Sequence, residues 1–203
     1  MALNTTKLDA VNIILSNIGQ SPVVSLDSAN PIVQMATLTL DEISRAVQAE
    51  GWVFNTEFDY PLKPNSNYEI VIPDNIIQCD LPVGSDISVQ RRGGKLYNRT
   101  DHTYNFENQC TDGTLKVDVT WIFEYEDLPE AIKNYINIRA ANVFAGRAVG
   151  SGEAVRFGQQ EEAFARAGAI EYETQQGDYS IFGDSRAINT YRSYRPRSSV
   201  YRY

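Results

Sequence analysis

Cysteine and histidine are nearly absent from this 203-residue chain: Cys79, Cys110 and His102 are the whole supply. A disulfide scaffold, a zinc ribbon and a histidine-based catalytic triad therefore lack raw material. Long apolar runs are missing too, since no window approaches the ~20 consecutive apolar residues that cross a bilayer. The opening Met1-Ala-Leu-Asn-Thr-Thr has no basic region leading into an apolar stretch, which predicts neither export nor membrane insertion. In a reducing compartment the two cysteines are then expected to be free thiols, partly buried. With 42% hydrophobic and 22% charged residues, the chain can bury an ordinary core.

Negative charge dominates, with 26 acidic residues against 18 basic ones and a formal net charge of −8. The distribution is uneven. Beyond Gly183 five arginines face one aspartate, which leaves the tail at +4 and the remainder at −12. An acidic body repels nucleic acid as a non-specific partner, whereas a short basic arm suits phosphate or an acidic protein surface.

Hydrophobic periodicity predicts a first helix opening at Thr5 or Thr6, with Leu8, Val11, Leu15 and Ile18 in register before Gly19 and Pro22 end it. A second helix has Asn30 as N-cap and Pro31 at its first position. Ile32, Met35, Ala36, Leu40, Ile43, Ala46 and Val47 form its apolar stripe, Asp41, Glu42, Arg45 and Gln48 its polar face, and Gly51 its stop. From Trp52 to Phe123, Pro61, Pro64, Pro73 and Pro82 exclude helix, and Tyr68–Ile72 and Asp86–Val89 read as strands. Gly93-Gly94 and Asp112-Gly113 read as hairpin turns, the second leading into the alternation Leu115, Val117, Val119, Trp121. Helices resume at Leu128-Pro129-Glu130. The third carries Ile132, Tyr135, Ile136, Ala140 and Val143 on one face and Ala141, Ala145 and Ala148 as small residues for a neighbour, up to Gly150-Ser151-Gly152. The fourth runs through Phe157, Phe164, Ala167 and Ile170 to about Gln176.

The expected fold is α+β: a four-helix bundle made by the two ends of the chain (1–57 and 125–182), an inserted small antiparallel β-sheet or barrel domain (58–124) and an extended arm (183–203).

Few residues offer chemistry. Arg91, Arg92 and Lys95 crowd one hairpin as contacts for phosphate or an acidic partner, although a charged hairpin tip is usually just solvated. Gly150-Ser151-Gly152 is too short for a phosphate cradle and follows a helix rather than a strand. Glu124, Glu126 and Asp127 supply the carboxylates that a glycosidase requires about 5 to 9.5 Å apart, but charges near a domain junction are more simply solvated. His102 lies in a polar loop and reads as a surface side chain. No catalytic residue, metal ligand or cofactor site is assigned.

Several segments together resemble the tail tubular protein A family of short-tailed bacteriophages. They are the opening Leu3–Pro22, Ala49-Glu-Gly-Trp-Val-Phe-Asn-Thr56, Leu128–Ala141 with Phe144 and Arg147–Ser151, and Glu173–Phe182. The resemblance spans nearly the whole chain in the family's order and is weakest over 61–122. It implies a structural virion protein without enzymatic activity, assembled in the bacterial cytoplasm: a dodecameric adaptor or gatekeeper ring below the portal. Such a ring receives the nozzle protein, supports the tail fibres and leaves a channel for ejected DNA. A tail-associated hydrolase of capsular polysaccharide is the alternative. In the arm, Tyr191, Arg192, Tyr194, Arg195, Arg197, Tyr201, Arg202 and Tyr203 combine the two residue types that dominate binding hot spots, and the portal is the acceptor the resemblance implies.

Overall fold

The computed structural model describes residues 4–27, 30–110, 112–148 and 152–177, with side chains in the last stretch from residue 158 onward. The chain is α+β, with four helices and two small antiparallel sheets, and it divides into two compact units, residues 51–122 and the segments on either side. The nominated arm residues 191–203 lie outside the described residues.

In the helical unit, α1 (Lys7–Asn17) opens on a capping box in which Thr6 and Asp9 satisfy each other's backbone. α2 (Pro31–Gln48) begins as the sequence implies: Asn30 Oδ1 accepts from the Ile32 N–H at 3.0 Å and Pro31 sits at the first position. α3 (Glu130–Ala148) packs against α1, α2 and α4 (Gly152–Gln176). That central position buries more than one face of α3. Ile132, Lys133, Ile136, Asn137, Ala140 and Ala141 are all buried, so Ala141 serves the chain's own core.

Two further stripes differ from expectation. On α2 the buried positions are Val33, Ala36, Leu40, Ile43 and Val47 with Thr39, Ser44 and Gln48, while Met35 and Ala46 face outward. Gln48, expected on the polar face, is buried because it holds the returning chain: it accepts from Phe123 N–H at 2.8 Å and donates to Phe123 O at 3.1 Å. On α4 the buried described positions are Gly158, Ala165, Ala169 and Glu173, not Phe164 and Ala167. The reason is close approach. Asn142 of α3 donates to Gly158 O at 2.7 Å, and a Cβ at position 158 would strike the Asn142 side chain. The side chain of Phe157 lies outside the described set.

The β unit holds a three-stranded antiparallel sheet in the order β1 (Thr56–Leu62), β5 (Leu115–Trp121), β2 (Ile76–Asp80) and a hairpin of β3 (Val89–Arg92) with β4 (Lys95–Asn98). Gly93 and Gly94 have φ of 56° and 75°, the left-handed pair that a two-residue hairpin turn needs. Asp112-Gly113 makes a turn but no hairpin, since β5 pairs with β1 and β2 on its two sides, Val119 lying opposite both Glu57 and Cys79. The cause is burial on both faces: Val117, Asp118, Val119 and Thr120 are all buried, which places β5 in the middle of the sheet. Tyr68–Ile72 is not a full strand. Its pairing with β4 is one bridge, Val71 to Lys95, flanked by Ile72 N–H to Gly94 O at 2.8 Å and Leu96 N–H to Ile70 O at 2.9 Å. Of Asp86–Val89 only Val89 enters a strand. Ile70, Ile72, Ile76, Leu96, Phe106 and Val117 center the core of this unit.

Candidate functional site

The hairpin cations are the first test of the sequence reading, and two of the three are occupied within the β unit. Arg91 donates to Ile76 O at 2.5 Å, with Asp74 3.9 Å away. Lys95 Nζ lies 2.7 Å from Glu69 Oε2, and its hydrogen bond, joined by one from Asn65, holds the Glu69 carboxyl below its ordinary value. These bonds brace the hairpin against the segment 69–76. The exposed Arg92 lies over the Tyr97 ring at 4.0 Å from the centroid, and Tyr97 meets Tyr104 edge-on at 4.9 Å. Tyr104, 39% exposed, lies beside this tip.

The carboxylates before α3 take a place that sequence spacing did not suggest. Tyr125–Asp127 form a single 3-10 turn, not a strand end, and Glu124, Glu126 and Asp127 are exposed on it. The turn is held from behind. Glu126 O accepts from Asn4 Nδ2 at 3.0 Å and from Lys133 Nζ at 2.9 Å, and Lys133 is fully buried. Glu130 then accepts from Thr5 N–H at 3.0 Å and Thr5 Oγ1 at 2.7 Å, tying the start of the chain to the start of α3. Tyr125 is buried with its hydroxyl 2.9 Å from Asn137 Oδ1, and burial raises its pKa. The cluster is chemistry of folding: each strong bond joins two parts of the backbone scaffold.

His102 is exposed in a loop at φ 55°, where Asn98 Oδ1 accepts from the Thr100 and Asp101 N–H groups. Cys79 and Cys110 are free and half-buried. Burial, reinforced by the Asp80 charge, pushes the Cys79 thiol up to about 12, which suppresses its nucleophilic form. An open cleft of about 590 Å³ in the β unit is lined by Asp59, Asp86, Asp112, Ser85, Asn108 and Lys116 among others. Among the described residues no three His, Cys, Asp or Glu side chains are grouped to hold a metal ion, and no helix is long and apolar enough to cross a membrane.

Sequence reasoning missed the polar network of the helical unit. Glu50, just past α2, accepts from Arg139 of α3 at 3.3 Å and from Arg166 of α4 at 3.0 Å. Both guanidinium groups also donate to the Tyr135 hydroxyl, at 3.0 and 2.8 Å. Arg147 grips Glu42 bidentately at 2.8 and 3.0 Å, which lowers the Glu42 pKa. Only the Tyr135–Arg139 spacing of one helical turn is visible in sequence; Glu50 and Arg166 are 116 residues apart.

A family model described as tail tubular protein matches residues 8–179, from α1 to the end of α4, and the chain belongs to that family. It is a structural protein of the phage virion tail. Among curated proteins, tail tubular protein A of Klebsiella phage KP34 is 26% identical over 159 residues, a stretch covering 78% of this chain and 82% of that protein.

Proposed function

We propose that this protein is the tail adaptor, a homo-oligomeric ring, dodecameric as the resemblance implies, that joins the portal to the nozzle, supports the tail fibres and surrounds the path of ejected DNA. The observation that carries this reading is the family match, which runs without a break through the helical unit, the β unit and the returning helices. In this reading α1 to α4 act as one four-helix bundle in the ring wall, 58–124 is the inserted β domain, and 183–203 is the arm that docks on the portal. Arms of that kind gain avidity from many copies, so each can be individually weak. Arg92 is the hairpin cation available to a partner or to DNA in the channel. The protein assembles in the host cytoplasm and joins the head after packaging.

Negative-stain images of the full chain mixed with its portal test the reading: the expected result is a ring seated on the portal, lost when residues 187–203 are deleted while helix content is kept. Sugar release from capsular polysaccharide that disappears in Glu124→Gln or Glu126→Gln would replace it with the hydrolase alternative.

A further inference from the structure

Two helices of the helical unit leave apolar side chains uncovered. On α2, Met35 is 52% and Leu38 68% exposed; on α4, Phe164 is 78% exposed. Each sits on a stripe that ends in an exposed charge. Met35, Leu38 and Arg45 share one face of α2, and Phe164, Ala167, Gly168 and Glu171 share one face of α4. Among the described residues neither the Arg45 nor the Glu171 side chain has an ion pair or hydrogen bond.

Gly168 adds an independent observation. Glycine within a helix weakens it relative to alanine, and the other described glycine of α4, Gly158, has a reason to be there because a Cβ would strike Asn142. At Gly168 a Cβ would meet nothing within 4 Å. The chain itself therefore gives no cause for a missing side chain on this face. A backbone approaching from outside does.

We infer that the α2 stripe of one copy docks on the α4 stripe of a second copy, the two helices parallel, with Leu38 against Phe164 and Gly168. Register selects both orientation and partner. Leu38 to Arg45 and Phe164 to Glu171 are each seven residues, a rise of about 10 Å along the helix, so parallel docking brings the two unpaired and opposite charges face to face. Antiparallel docking places them about 20 Å apart. The contact uses different patches on the two copies and leaves one of each open, so it propagates head to tail and closes only as a ring. The inference rests on the ring reading above and names the surfaces that build the ring.

The test uses the full chain. Oxidising a mixture of Leu38→Cys and Phe164→Cys chains should give a covalent dimer absent from either chain alone and from the parent, whose two native cysteines serve as the control. Sedimentation should show Arg45→Glu and Glu171→Arg each associating about tenfold more weakly or worse, because like charges then face each other, with assembly restored in the double reversal. Gly168→Trp should keep its helical circular dichroism and lose assembly. A parent that assembles while the mixed cysteines fail to cross-link and the reversals behave as the parent overturns this contact and leaves the ring standing. A parent that stays monomeric at every concentration, alone and with portal, overturns the ring reading and the contact together.

Discussion

Gly158→Ala and Gly168→Ala make the same chemical change ten residues apart in one helix, and the structure requires opposite results. A Cβ at 158 would stand 2.7 Å from Asn142 Cγ and 3.1 Å from its Nδ2, with Oδ1 nearer still. Asn142 must then swing away and release its 2.7 Å bond to Gly158 O. Overpacking of this kind costs about 1–3 kcal/mol and the lost hydrogen bond about 1 kcal/mol. Higher helix propensity returns about 1 kcal/mol. The net expectation for Gly158→Ala is a loss of about 1–3 kcal/mol, a fall in melting temperature of ~2–4 °C for each kcal/mol in a chain of this size. At Gly168 only the propensity acts, so the dilute chain should gain about 1 kcal/mol. Thermal melts followed by circular dichroism, in the helical band, read both. Asn142→Ala separates the causes: alone it loses the hydrogen bond, but combined with Gly158→Ala it removes the clash, so the double variant should be more stable than the sum of the singles. If Gly158→Ala stabilised the chain as much as Gly168→Ala does, the close approach of α3 and α4 would be wrong.

Three other outcomes are expected. Lys133→Ala should destabilise the helical unit by about 2–3 kcal/mol, since a fully buried stem loses its packing and Glu126 O loses a donor; denaturant unfolding measures it. Arg91→Ala should cost about 1–2 kcal/mol by stripping the donor from Ile76 O, whereas Arg92→Ala should cost only the cation–π contact with Tyr97, about 0.5–1 kcal/mol. For pH, the Arg147 hydrogen bond and charge depress the Glu42 carboxyl below its ordinary 4.5, so its contribution is present above pH 4.5 and is lost as the pH falls through the lower folded value. Glu42→Gln should accordingly flatten the loss of stability on acidification below pH 4.5, and a melt series from neutral to acid checks it.

What could be read along the chain was whatever local chemistry decides. Thr6 with Asp9, Asn30 with Pro31, and Gly93-Gly94 each satisfy a backbone requirement within a few residues, so their elements begin, end or turn where the sequence says. The family, too, was legible, because its segments keep their order through both units. Tertiary structure decided which way the faces point and which strands meet. Phe164 reads as core by periodicity yet is exposed, since α4 turns its Gly158, Ala165 and Ala169 stripe inward where α3 comes close at Gly158. Gln48 reads as surface yet is buried, because Phe123, 75 residues later, brings its backbone N–H and C=O to it. β5 ends in the middle of a sheet rather than in a hairpin because its two faces are both buried and its two partners, β1 and β2, both lie far before it in sequence. Arg91 and Lys95 look like free charges until the fold brings Ile76 O and Glu69 within reach, and no spacing in a single chain segment encodes a bond whose other half arrives only on folding.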